Sequence, residues 1–465
     1  DKPLVITDFE INLCLQSLKK GSGGVDGIPF WVFKNNSLFI SSVIAHIFNN
    51  CFKCGIFPSV FKFADVIPIP KVSKPSSLSD LRPISMLPVL SKVLEKLVVC
   101  RWIMPHVSSK LSPAQFAYVP GVGKGTTTAL TLINHLIMNF LDKKSGAVRM
   151  LAADFSKAFD RLSFDSIISA LVNFCLPRQA VALLMNFLCD RKQRVRLNGN
   201  VSDWAPITSG VPQGSVLGPI LFSLVIDSYS PVRDNSMCIK FADDLTILHF
   251  IRAETDDFLQ CEWDHLESWS DSVGLRLNRN KSCVMNYITK KSLNLVSITC
   301  DDGVTLSTVS SLRLLGVIFS SDFSWNLHIQ SILNKCYRRF FILRNLKRAS
   351  CPPFIIHKCY VAFIRSILLY SFPCFCNLPQ YLFNKLCRLE VRASKYFSEH
   401  DFCHLKEATD SICKKLFKSI VFSCNHPLRR MFDSRSPTAR NPCVLRAPFA
   451  KTARLSNSFI RYGRF

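Results

Sequence analysis

At 465 residues, with 58 Lys and Arg against 33 Asp and Glu, the chain is long enough for two or three subdomains and carries a formal charge of +25. So large an excess costs self-repulsion unless a polyanion meets it, which points to nucleic acid ahead of an anionic membrane surface. The longest apolar run, Tyr360 to Cys376, is broken by Arg365 and Pro373 and makes no spanning helix.

The 20 cysteines are scattered and follow no signal peptide, so they read as reduced intracellular thiols. Cys51 with Cys54, Cys374 with Cys376, and the loose set Cys403, His404, Cys413, Cys424 and His426 match no zinc spacing. The chain begins with Asp1 rather than Met, as a segment of a longer reading frame would.

In chain order, Thr7-Asp8 caps a first amphipathic helix that Gly21 ends, and Gly21 to Pro29 is a glycine-rich turn. Helices are expected over Ser37 to Cys51 and Pro88 to Met104. Between them Phe63 to Pro70 is strand-like, followed by Lys71, a polar loop and Leu81 to Ser85. Pro120 to Thr127 imitates a phosphate-binding loop but has Tyr118 in the place of its first glycine and Gly125 after Lys124. Helix Thr126 to Asp142 follows, closed by Lys143, Lys144 and Gly146. Strand Ala147 to Ala153 then delivers Asp154, and two helices run from Ser163 to Cys175 and Arg178 to Asp190.

Arg191 to Leu197 alternates Val195 and Leu197 with Arg194 and Arg196, which predicts one packed face and one basic face before an Asn198-Gly199 hairpin turn. A glycine-rich bend, Ile207 to Pro219, leads into an apolar helix, Ile220 to Asp227. Met237 to Leu248 reads as two apolar strands with Asp243-Asp244 at the turn. Asp256-Asp257 follows Thr255 at the start of a helix that runs to Ser272, and Asp301-Asp302-Gly303 is a plain turn. Leu314 to Phe319 is one further strand. From about Trp325 the pattern is helical and basic, and residues 401 to 465 hold 13 Lys and Arg against 4 Asp and Glu.

Adjacent acids at a hairpin tip repel, and a hard divalent cation with oxygen ligands relieves them. If the strand that ends in Asp154 lies beside the Asp243-Asp244 hairpin in one antiparallel sheet, three carboxylates converge on a pair of Mg²⁺ ions. That arrangement suits phosphoryl transfer to a 3′ hydroxyl and needs no nucleophilic side chain.

Ala153 to Asp160, Gly210 to Pro219 and Phe241-Ala-Asp-Asp244, in this order, resemble the core motifs of reverse transcriptases of non-LTR (LINE-type) retrotransposons. Val66 to Lys71, Leu81 to Ser85, Gly274 to Asn278 with Lys281-Ser282, and Leu315-Gly-Val317 before Trp325 extend the likeness over about residues 1 to 375. The resemblance implies an α+β right-hand polymerase with fingers, an antiparallel-sheet palm and a helical thumb. The divisions expected are 1–146 for fingers and the start of the palm, 147–322 for the palm, 323–400 for the thumb and 401–465 for a basic extension.

The resemblance also implies Asp154, Asp243 and Asp244 as catalytic metal ligands, the carbonyl of Phe155 as a further ligand, and two Mg²⁺ ions, with Mn²⁺ as a substitute. Lys71 and Arg82 are implied contacts to the triphosphate of a dNTP. Phe159 is the gate against a ribose 2′ hydroxyl, Gln213 and Gly214 form the floor under nucleotide and template, and Lys281 donates a proton to pyrophosphate. The partners implied are an RNA template, a DNA primer, the element's RNA and its target DNA, with no membrane, in nucleus and cytoplasm. Tyr118 and Val119 depart from the pattern in the fingers. The competing reading is a decayed element copy that binds nucleic acid without polymerising.

Overall fold

The computed structural model describes residues 5–462 apart from 22, 120, 144–145, 290–292, 398–403, 435–444, 448 and 457. Pro120, Lys144 and Cys403, which entered the sequence reading, lie outside the described residues. The chain forms two compact units. The first gathers Asp1–Pro120, Phe155–Ser230 and His265–Asn278, and the second Gly121–Asp154, Pro231–Asp264 and Arg279–Phe465. The strands, in chain order, are β1 (Phe63–Pro70), β2 (Leu81–Met86), β3 (Ala147–Ala153), β4 (Lys192–Leu197), β5 (Asn200–Val201), β6 (Ala205–Pro206), β7 (Ser236–Phe241), β8 (Asp244–Ile251), β9 (Cys283–Ile288), β10 (Ser307–Thr308), β11 (Ser311–Leu314), β12 (Val317–Ser320), β13 (Asp433–Ser434) and β14 (Leu445–Arg446).

In the first unit, Thr7 caps helix Asp8–Gln16 through a reciprocal pair with Glu10, and the helix stops before Gly21. The sheet runs β2-β1-β4-β5, with β6 paired to β4. β1 is antiparallel to β2, with Ile69 opposite Arg82, and parallel to β4. The expected faces of β4 are reversed: Val195 and Leu197 are exposed, while Arg194 turns inward. The cause is Asp65 on β1, only 1% exposed, which takes Arg194 at 2.7 Å and Arg196 at 3.2 Å. A buried carboxylate that needs a cation outweighs the gain from burying Val195.

Glu95, on helix Val89–Val98, is wholly buried and has a similar task. Its carboxylate accepts the N–H groups of Val216 and Leu217 at 2.7 and 3.1 Å and the Ser91 hydroxyl at 2.9 Å. It thereby satisfies the start of helix Leu217–Asp227 together with Ser215, whose hydroxyl accepts the Gly218 N–H at 2.9 Å.

In the second unit, the sheet order is β10-β9-β3-β8-β7, with β3 antiparallel to both β8 and β9. A central strand covered on both faces has little room for polar groups, and β3 is buried throughout except at Ala152. Arg149 is the exception by type. It pairs with Asp257 at 2.7 Å and donates to the carbonyl of Val296 at 2.7 Å. Asp257 is therefore a buried ion-pair partner, and the helix expected from Thr255 begins at Leu259 after a short turn over Glu254–Asp256. The strand expected over Leu314 to Phe319 is instead a hairpin, β11 paired to β12. Leu315 and Gly316 both take positive φ, 45° and 88°, at its turn.

Helix Thr126–Asp142 ends on a carboxylate that reaches far along the chain. Asp142 accepts the N–H groups of Lys451 and Thr452 at 2.8 and 2.7 Å, and Leu455, Phe459 and Ile460 are buried beyond it. Helices Asn326–Arg348, Gln380–Ser394 and Leu405–Phe422 are the longest of those that follow in the unit. No helix among the described residues is long and apolar enough to cross a membrane.

The Arg149–Asp257 pair generates a stability prediction. Asp257→Ala leaves the Arg149 charge buried without its partner and should cost about 3–5 kcal/mol, whereas Arg149→Met with Asp257→Leu should recover most of that loss. Urea midpoints of the two variants decide it; a single variant as stable as the parent would show that the pair does not support the sheet.

Candidate active site

β3 and β8 are in register over seven pairs, from Ala147 opposite Ile251 to Ala153 opposite Leu245. One residue further along, Asp154 lies alongside Asp244. Hairpin β7–β8 closes at Phe241 opposite Asp244, so Ala242 and Asp243 form the two-residue turn and Asp244 opens β8. Ala242 holds φ 55°, the left-handed conformation such a tight turn requires. The sheet thus brings all three predicted carboxylates to one end of the second unit.

Asp154 is anchored from its other side. Its N–H donates to the Ser282 hydroxyl at 3.1 Å, and Lys281 Nζ stands 3.9 Å from Asp154 Oδ2. Lys281 is 69% exposed, so it contributes a mobile charge rather than a fixed bond. Asp244 presents part of its surface to solvent, yet desolvation first, then the charges of Asp243 and Asp154, push its carboxyl up to about 6.

Acceptor-only oxygens that repel one another suit a hard divalent cation, and Asp154, Asp243 and Asp244 are the residues that would hold it. Among the described residues, no three acidic, His or Cys side chains already form a closed ligand cluster.

Apart from Lys281, which lies in the second unit, the predicted nucleotide residues and Phe155 belong to the first unit. The Phe155 ring is buried edge-on against Trp269, with centroids 6.4 Å apart, and its backbone bridges to Leu277. Phe159 stacks on Phe222 at 4.8 Å with 24° between the rings, so its orientation is fixed by packing. Gln213 donates from Nε2 to Asp160 Oδ1 at 2.9 Å, and its carbonyl accepts the Ser85 N–H of β2 at 2.7 Å. Gly214 holds φ 123°, and a Cβ there would come 2.6 Å from the Ser85 carbonyl oxygen, so only glycine fits.

Lys71 and Arg82 are both exposed at the β1–β2 end. The Lys71 N–H donates to the Asp80 carbonyl at 2.7 Å, and its Nζ to the Ser79 carbonyl at 2.8 Å. Lys71 is near enough to Asp160 for its charge to bear on that carboxyl, whose pKa burial raises against the opposing pull of Gln213, Lys157 and Lys71. Gln213 by a hydrogen bond and Lys71 by its charge thus both act on Asp160, next to Phe159 in the chain.

Sequence reasoning gave no role to Asp160, Ser282 or Glu95. Asp160 carries a signal in hindsight, an acid set among Ala158, Phe159 and Leu162. Ser282 and Glu95 carry none, because their partners lie more than a hundred residues away.

The Asp244 shift sets a pH dependence. A cation must displace the proton, so Mg²⁺ affinity should rise about tenfold per pH unit up to about 6 and then level. In the metal-free chain the sign reverses. The stabilising contribution of the protonated carboxyl is complete below the unfolded value of 3.8 and is lost as pH rises through about 6. Thermal unfolding from pH 3.5 to 8, with and without Mg²⁺, should therefore show two opposed trends; a Mg²⁺-induced shift of constant size from pH 5 to 7.5 contradicts the coupling.

Residues 69–319 match the model of a protein family described as reverse transcriptase (RNA-dependent DNA polymerase). The chain is 27% identical over 412 residues to the probable RNA-directed DNA polymerase from transposon BS of Drosophila melanogaster, covering 86% of this chain and 45% of that protein. It is 28% identical over 301 residues to the RNA-directed DNA polymerase from mobile element jockey of the same organism, covering 62% and 32%. It thus spans between about a third and a half of the length of these relatives. Among solved structures, apo telomerase from Candida tropicalis aligns with a TM-score of 0.44 at 11% identity, over 83% of this chain and 67% of that one.

Proposed function

The chain belongs to the reverse transcriptase (RNA-dependent DNA polymerase) family, and we propose that it is the RNA-directed DNA polymerase of a non-LTR mobile element, extending a DNA primer on an RNA template with dNTPs. The observation that carries this reading is the β3–β8 register, which sets Asp154 beside Asp244 next to the Asp243 turn. Fingers, palm and thumb are assigned to residues 1–146, 147–322 and 323–400, with 401–465 as a basic extension.

In the reaction, the primer 3′ oxygen forms a bond to the α-phosphorus of the dNTP, the bond to pyrophosphate breaks, and the hydroxyl proton departs. Asp154, Asp243 and Asp244, with the Phe155 carbonyl, are the proposed ligands of two Mg²⁺ ions, which supply acidity to the hydroxyl and charge neutralisation to the leaving group when bound. Lys71 and Arg82 are assigned to the triphosphate, where Lys71 Nζ exchanges its Ser79 carbonyl for a phosphate oxygen. Gln213 and Gly214 support nucleotide and template, Phe159 closes the space a 2′ hydroxyl needs, and Lys281 Nζ gives a proton to pyrophosphate.

Two predictions follow from these roles. Asp243→Asn with Asp244→Asn should reduce Mg²⁺-dependent extension of an oligo(dT) primer on poly(A) by about 10³-fold or more, since losing several kcal/mol of stabilisation costs tenfold per 1.36 kcal/mol. Undiminished extension by this variant sinks the assignment, and a parent chain that never extends favours the decayed-copy reading. Phe159→Ala should raise rNTP relative to dNTP incorporation at least about tenfold, read as the ratio of kcat/KM values; an unchanged ratio removes Phe159 as the gate.

A further inference from the structure

The Phe159 ring is half-buried, and one of its faces lies on Phe222, with centroids 4.8 Å apart and 24° between the planes. Phe222 itself is 0% exposed. It belongs to helix Leu217–Asp227, at whose start the N–H groups of Val216 and Leu217 are taken by Glu95 and that of Gly218 by Ser215. Helix Phe164–Asn173 packs against the same helix. For the Phe222 ring to move back, a close-packed layer has to move with it.

The backbone that carries Phe159 is held as firmly. The Phe159 carbonyl accepts the Val211 N–H at 2.7 Å, the Leu162 carbonyl the Gly210 N–H at 2.8 Å, and the Asp160 carbonyl the Ser209 hydroxyl at 3.0 Å. Gly210 holds φ 78°, and a Cβ there would come 2.5 Å from the Phe159 carbonyl oxygen, so the two segments lie in direct backbone contact. With the backbone fixed, only the side-chain torsions of Phe159 can yield, and Phe222 blocks them on the covered face.

A ring excludes a hydroxyl only as far as it refuses to recede. An apolar wall rejects a ligand with one added hydroxyl by only about 10²-fold, and any retreat of the ring relieves the clash on which that rejection rests. Refusal of a ribose 2′ hydroxyl therefore depends on two side chains, the one that meets the sugar and the one that stops its retreat.

We propose that Phe222 is a positioning residue for sugar selection: wholly buried, it never meets the nucleotide, and by backing the Phe159 ring it sets how strongly a ribonucleotide is refused. This role rests on the polymerase reading and on Phe159 as the gate. A core ring that merely fills volume would behave differently, since loss of packing weakens both sugars alike and loss of a back-stop changes their ratio.

The test compares the parent with Phe222→Leu, Phe222→Met, Phe159→Ala and Phe159→Ala/Phe222→Leu, using a DNA primer on an RNA template and dATP against ATP opposite a template uridine. Extension gives the ratio of kcat/KM values, and a primer ending in a 3′-dideoxynucleotide, which cannot be extended, gives the ratio of Kd values without turnover. Phe222→Leu should raise ATP relative to dATP about fivefold or more, through a lower KM for ATP, with kcat for dATP within about twofold of the parent. Phe222→Met keeps most of the volume without the flat face and should shift the ratio in the same direction, even where the leucine variant folds poorly. In the Phe159→Ala background Phe222→Leu should change the ratio no further, because no ring is left to hold back.

An unchanged ratio in both Phe222 variants, with dATP and ATP losing equally, overturns the proposal. So does a further rise on top of Phe159→Ala, which would show an effect that does not run through the gate, and so does an unchanged ratio for Phe159→Ala itself. A chain that extends primers with the parent ratio in both Phe222 variants keeps the polymerase reading without the back-stop. One that never extends but shows the shift in Kd ratio keeps the back-stop without the polymerase.

Discussion

Like charges do not gather unaided, and the pairing of β3 with β8 forces two of them together. Seven consecutive residue pairs fix the register, and because side chains alternate across a sheet, a slip of one residue would carry Asp154 to the opposite face from Asp244. The register is in turn secured by burial of β3 on both sides and by Arg149, whose guanidinium ties the strand to Asp257 and to the Val296 carbonyl. Apolar packing thus holds like charges together at one end of the sheet, and the Asp244 carboxyl is pushed up by burial first and by the charges of Asp243 and Asp154 after it.

The first unit follows a different logic, in which backbone geometry replaces charge. Gln213 bonds at once to Asp160 and to the Ser85 N–H of β2, and Gly214 lies so close to Ser85 that any side chain would push the two segments apart. The bend before helix Leu217–Asp227, the loop that carries Phe159 and the β2 edge that carries Arg82 therefore move as one piece. Glu95 extends the same piece by capping that helix from Val89–Val98. A group that positions a nucleotide gains from such rigidity, because the geometry is set before the ligand arrives.

The features legible in the sequence were those written locally. An apolar run ending in an acid marked Asp154, and two apolar runs around a pair of acids marked the β7–β8 hairpin. Asn198-Gly199 gave its turn for the same reason, since both residues tolerate positive φ. What local pattern could not reveal was pairing at a distance. Asp257 looks like a helix start until Arg149, 108 residues earlier, is beside it, and the alternation in β4 suggests a buried Val195 until Asp65 claims Arg194. In both cases a buried ion pair overrode the hydrophobic pattern. Leu315 at positive φ was illegible for a simpler reason: leucine is among the residues least expected there, so the β11–β12 turn was hidden within an apolar run.

The bond from Asp142 to Thr452 has a bearing on how the polypeptide is born. Every stretch of the first unit has been synthesised once residue 278 leaves the ribosome, but the second draws on residues as late as Ile460, buried against the structure that Asp142 anchors. At ordinary translation rates that interval is roughly ten to forty seconds. Once β9 has followed, the central β3 and both its neighbours are complete in sequence but incomplete in cover for most of that interval, exposing apolar surface that a nascent chain must shield. Loss of the segment around Lys451 to Ile460 would therefore harm the unit bearing the three carboxylates, however far along the chain from them it lies.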